Sequence, residues 1–178
     1  MLLQKGRLAL ALNDISQAIQ LYEHAHRLDS ANVTGMDLYA LCLYERRDAL
    51  KLNALAQQLM TNGGTKRPES WIAAALHCLV INKADKAEAL ADQACKHGSQ
   101  HSMSFYVRGM ILLKQLDAAG TKDPVQWFRK GEYLSEESEA SRNGSTVVDI
   151  FILPLSIKPV ALCLSRSPLF KTPKQVFF

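Results

Sequence analysis

The feature that most limits what this chain can fold into is a recurrence of small and aromatic residues about every thirty-four positions. Trp71 and Phe105 are 34 apart, Met36 and Trp71 35, Ala18 and Ala87 as well as Ala25 and Ala94 69, and Gly6 and Gly109 103. The longer spacings are roughly two and three times the shorter ones. A period of this length belongs to stacked arrays, in which each unit buries only part of its apolar surface and its neighbours complete the core.

Each unit reads as two helices. Leu2 to Leu12 is followed by Asn13-Asp14 and then Ile15 to Leu28, where Ala18, Leu21, Tyr22, Ala25 and Leu28 recur at steps of three and four, one face of an α-helix. The second unit runs from Met36 to Tyr44 and from Asp48 to Met60, with Asp48 as a helix cap, Asn62-Gly63-Gly64 as the stop and Pro68 as the next start. The third has Ser70 to Ile81 and Ala84 to Lys96, with Ala84, Ala87, Leu90, Ala91 and Ala94 on its apolar face and His97-Gly98 ending it. The fourth has Met103 to Leu116, a longer loop, and Val125 to Leu134. Gly6, Ala40, Ala75 and Gly109 fall at equivalent places in the four first helices, where lack of bulk lets helix backbones approach and a large neighbour fills the gap.

These residues form the pattern that the tetratricopeptide repeat resembles. Gly6, Ala18, Tyr22 and Ala25 stand where that family has glycine, alanine, an aromatic and alanine, and Leu28-Asp29 follows, with Ser30 in place of the family's proline. The third unit offers Trp71, Ala75, Ala87 and Ala94; the fourth offers Phe105, Gly109 and Phe128; the second is degenerate, with Leu52 at the alanine position. The resemblance implies an all-α superhelix of antiparallel helix pairs over residues 1–134, in repeats 1–32, 33–67, 68–101 and 102–134, followed by a poorly ordered tail over 135–178.

Gly35-Met36-Asp37 with Tyr39, a weak second repeat, and Pro68 with Trp71 narrow the likeness to the tetratricopeptide subunits of the anaphase-promoting complex. What that resemblance implies is a non-catalytic scaffold in cell-cycle ubiquitination, in nucleus and cytoplasm, with the other tetratricopeptide subunits of the ligase as partners. It allows self-association, although that family's dimer-forming repeats lie upstream of the matched stretch. The likeness begins inside a first helix and stops near Ser135, the expectation for a truncated or alternatively spliced form. The alternative is a free adaptor that captures peptide tails. Chaperone-binding members resemble one another in a clamp of Lys, Asn and Arg on the first helices; here Ala9 stands four residues after Lys5, and helix 70–81 carries no Lys or Arg.

Composition narrows the function classes. Lys and Arg number 21 against 17 Asp and Glu, a net charge of +4, and the cations are scattered along the chain, which gives no nucleic-acid footprint and no single-sign patch. Cys42, Cys78, Cys95 and Cys163 form no CxxC, so neither a disulfide framework nor a zinc knuckle is expected. The apolar stretch from Val147 to Leu164 is interrupted by Asp149, Pro154, Lys158 and Pro159, so no membrane span is expected.

No set of residues composes an enzyme site. Cys95, His97 and His101 have metal-like spacing, but Gly98 interrupts them, and His24 and His26 add no ligand pair. His77 and Cys78 are adjacent on one helix and cannot face each other. Gly63-Gly64-Thr65-Lys66 lacks the spacing of a phosphate loop. Asn143-Gly144-Ser145 is a glycosylation sequon. The expectation is therefore no cofactor, no metal and no catalysis. Glu88 and Asp92 are expected on a solvated face, so Glu88→Ala should matter little, whereas Ala87→Leu or Ala94→Phe should overpack a tight helix contact.

Overall fold

The computed structural model describes residues 1–62, 64–119 and 124–141, with side chains through 115 in the seventh helix and through 134 in the eighth. Expectations for the tail beyond 141, including the sequon and Cys163, lie outside the described residues. Those residues form α1 (Leu2–Ala11), α2 (Ile15–Leu28), α3 (Met36–Glu45), α4 (Ala49–Asn62), a short 3-10 turn (Gly64–Lys66), α5 (Pro68–Val80), α6 (Ala84–His97), α7 (Ser102–Ala119) and α8 (Val125–Ser141). Among the described residues there is no strand, and no helix is long and apolar enough to cross a membrane.

Local chemistry sets the helix ends. Asp14 and Asp48 accept the backbone N–H groups of Gln17 and Lys51 at 2.9 and 3.0 Å, satisfying donors that a helix start leaves open. Pro68 opens α5 in the first turn, where a missing N–H costs nothing. Asn13, Arg47 and Asn82 stand one repeat apart and all adopt left-handed backbone, with φ of 62°, 53° and 57°. Around each, the same two hydrogen bonds close the turn. Asn13, Arg47 and Asn82 donate to the carbonyls of Leu10, Tyr44 and Leu79 at 2.9, 2.9 and 3.2 Å. Asp14, Asp48 and Lys83 donate to Ala9, Leu43 and Cys78 at 2.9, 3.0 and 2.9 Å. Three copies of one turn make the chain a helical repeat in its backbone as well as in its composition.

Every helix packs on the next, and α3 packs on α5 and α5 on α7, so these three first helices form an inner layer with the second helices outside it. One apolar cluster runs through all four units, from Ala9 and Ala18 through Leu41, Leu59, Ile72 and Leu76 to Ile111 and Phe128. Each large side chain buried there contributes about 1.5–3 kcal/mol. On the outer layer a polar ladder joins α2 to α4 and its preceding turn: Arg46 Nη1 donates to Ser16 Oγ at 3.0 Å, Lys51 Nζ to Glu23 at 3.3 Å, and His26 Nε2 pairs with Gln58 Oε1 at 2.9 Å.

Two helices outrun their expected ends. α7 continues from Leu116 to Ala119, and α8 from Leu134 to Ser141. Leu116 is followed by Asp117 and Leu134 by Ser135, without the Asn or Gly stop of the earlier units, so nothing local breaks the helix at the expected ends.

Candidate interaction groove

The signature residues sit where small and large must meet. Gly6 faces the ring of Tyr22, and a Cβ on it would lie 2.9 Å from Cζ; Gly109 faces Phe128 in the same way, 2.9 Å from Cε1. Ala18, Ala75, Ala87 and Ala94 are fully buried, as are Tyr22 and Phe105 nearly so. Ala25 and Trp71 are only half-buried. Trp71 stacks on His97 at 6.0 Å, and its Nε1 donates to the Thr65 carbonyl at 2.9 Å. Tyr22 stacks on Tyr39 at 6.2 Å, which ties the first unit to the second.

The C-terminal ends of α3 and α5 and the middle of α7 enclose a groove of about 310 Å³, lined in α3 and its turn by Tyr44, Glu45 and Arg47, in α5 and its turn by Leu79, Val80 and Asn82, and in α7 by Met110, Leu113 and Lys114. Its floor is apolar. Lys114 Nζ hangs 5.2 Å over the Tyr44 ring, a cation–π contact that holds the ammonium at the rim. The left-handed turns at Arg47 and Asn82 place both residues at the same edge of the groove. The signature residues are not the lining: they hold the helices at the spacing that leaves the groove.

A second polar assembly lies between α6, α7 and α8, and it corrects the reading of Glu88 as solvated, while the Asp92 side chain stays 42 % exposed. The Arg108 side chain is 9 % exposed and Glu88 16 %. Arg108 donates to the Glu88 carbonyl at 3.0 Å and pairs with its carboxylate at 3.3 Å. It also pairs with Asp92 and lies 5.2 Å over the Trp127 ring. The helical period puts Glu88 and Asp92 on one polar face, but the fourth unit then covers that face with an arginine. Only a cation set within the apolar run Met103 to Leu113 hinted at this in the sequence.

The nucleophile and metal candidates do not converge. His97 stacks on Trp71, whereas His101 Nε2 stands 3.5 Å from Asp37 Oδ2. Among the described residues no three of His, Cys, Asp and Glu gather. Burial pushes the Cys42 thiol up to about 12 and Cys95 to about 11, and raises Cys78. Such thiols stay protonated at neutral pH and are poor nucleophiles. Cys95 instead donates to the Ser104 carbonyl at 3.6 Å.

No protein-family model matches the chain, and no curated protein does.

Proposed function

We propose that the chain is a tetratricopeptide-repeat scaffold without catalytic activity of its own, a subunit-7-like component of an anaphase-promoting-complex ubiquitin ligase in nucleus and cytoplasm. The observation that carries the reading is the pairing of Gly6 with Tyr22 and of Gly109 with Phe128. Both join the first helix of a unit to the second, at the residue types that the repeat family uses. The tract from Gly35-Met36-Asp37 to Trp71 supports the narrower assignment. In this reading the partners are the ligase's other tetratricopeptide subunits, docked on exposed helix faces, and self-association is an available mode.

The test is co-purification of the full chain with those subunits, together with a ubiquitin-transfer assay on the chain alone. Association without transfer supports the scaffold, and failure to associate removes it. The groove at Tyr44, Leu79 and Met110 favours a second reading, a free adaptor for peptide tails. Micromolar binding of chaperone C-terminal peptides, with no binding of ligase subunits, would decide for the adaptor.

A further inference from the structure

Cations that are scattered in sequence lie along one edge of the array. The edge is where the second helices end and the inner helices begin. Asn62 Nδ2 donates to the Ser30 carbonyl at 2.7 Å, which sets the end of α4 beside the end of α2. At Gly98 a Cβ would come within 2.7 Å of Pro68 Cβ, and His97 stacks on Trp71, so the end of α6 lies against the start of α5. Arg27, Lys66, Arg67 and Lys96 are all exposed along this line, with His24 and His97 exposed among them. Between α2 and α6 the acids of the edge do not balance them: Asp37 and Glu69 are buried and Asp29 is exposed, while Glu132, Glu136, Glu137 and Glu139 belong to α8, beyond this stretch. Among the described residues Lys66, Arg67 and Lys96 form no salt bridge. The expectation of no single-sign patch is therefore corrected, because a repeat brings residues one period apart into register.

Helix chemistry accounts for part of the row only. Arg27 and Lys96 lie in the last turns of α2 and α6, where the helix dipole favours a cation. Arg67 is the N-cap of α5, makes no cap hydrogen bond, and sits at the positive end of that dipole. A cation there gains nothing from its own helix.

We infer that this edge is a docking surface for an acidic protein segment carrying an apolar side chain. Leu28, 70 % exposed at the end of α2, lies between Arg27 and Asp29 and offers an apolar contact at one end of the row. At about 10 Å between neighbouring helices the row spans about 20 Å, the reach of about six extended residues. Nucleic acid fits it less well. The aromatic of the edge, Trp71, already stacks on His97 and donates to the Thr65 carbonyl, so it is not a free platform for successive bases. The inference is independent of the scaffold assignment, since it rests on neither the groove nor the contacts of Gly6 with Tyr22 and Gly109 with Phe128.

The experiment measures fluorescence anisotropy of a labelled peptide, one leucine followed by glutamates and about eight residues long, titrated with the full chain. A glutamine peptide and a single-stranded RNA of equal length run in parallel. The acidic peptide should bind, the glutamine peptide should not, and affinity should fall at least about tenfold between about 50 and 200 mM salt. Lys66→Glu, Arg67→Glu and Lys96→Glu combined should weaken binding at least about tenfold at an unchanged circular-dichroism spectrum, and Leu28→Ala should weaken it less. If the charge-reversed chain fails to fold, the three glutamine substitutions take its place. Lys86→Glu, exposed at the start of α6, should leave binding unchanged. Absence of peptide binding at low salt, equal binding by the combined variant, or tighter binding of RNA would each overturn the inference.

Discussion

The ring of Phe128 closes on the backbone of Gly109 so tightly that a single added methyl would lie 2.9 Å from Cε1 and Cζ. Replacing glycine by alanine inside a helix ordinarily gains about 1 kcal/mol. Here the sign reverses: Gly109→Ala should destabilise by about 1–3 kcal/mol, the range of an overpacked contact. Gly6→Ala should behave alike against Tyr22. Urea unfolding of both variants checks this, and Phe128→Leu in the Gly109→Ala background should restore part of the loss. A stabilised Gly109→Ala chain would contradict the packing.

The three equivalent turns are not equally well served. Asp14 and Asp48 cap α2 and α4 through their side chains, whereas Lys83 stands at the same place before α6 and caps nothing. Lys83→Asp should therefore stabilise by about 1 kcal/mol. Arg47 holds a φ of 53° at the position where the other two turns have asparagine, so Arg47→Gly should gain about 1 kcal/mol by removing left-handed strain. Thermal melts that fall in either variant would count against this account of the turns.

Glu88 and its neighbour Ala87 give a comparison that the sequence alone reads differently. Ala87 is fully buried, so Ala87→Leu should cost about 1–3 kcal/mol. Glu88→Ala leaves the buried Arg108 with Asp92 and the Trp127 ring, and should cost about 1–3 kcal/mol as a broken charged hydrogen bond. A double-mutant cycle between Glu88 and Arg108 should show coupling. A loss under about 0.5 kcal/mol, usual for exposed sites, would return Glu88 to the surface.

Alkaline pH should loosen the fold. Burial raises Cys42 from 9.0 to about 12 and Cys95 to about 11, lifts Tyr39 from 10.0 to about 12, and raises Tyr22 further. These groups hold their protons more tightly folded than unfolded. The stability they contribute is full below about pH 9 and declines as pH rises toward 12. Melting temperatures should be level with respect to these groups from pH 7 to about 9 and fall from there toward pH 11, and Cys42→Ala should flatten part of the fall. A midpoint that holds to pH 11 would contradict the burial.

What the sequence determined by itself is local or periodic. Asn13-Asp14, Asp48 and Pro68 act on backbone groups within a few residues, so they fix helix ends wherever the helices go. The recurrence of Gly6, Ala18, Ala75, Ala87 and Gly109 required helix pairs in close contact, because small residues at a fixed period matter only where backbones meet. The tertiary structure decided what depends on a partner from another unit. Arg108 took Glu88 from a solvated face into a covered ion pair, with Asp92 as a second, part-exposed partner. The ends of α3 and α5 and the middle of α7 made a groove from Tyr44, Leu79 and Met110, which no motif joins. Arg27, Lys66, Arg67 and Lys96, apart in sequence, became one charged edge, because neighbours across a stacked array are set by the contacts between helices, and a linear pattern carries only those within one.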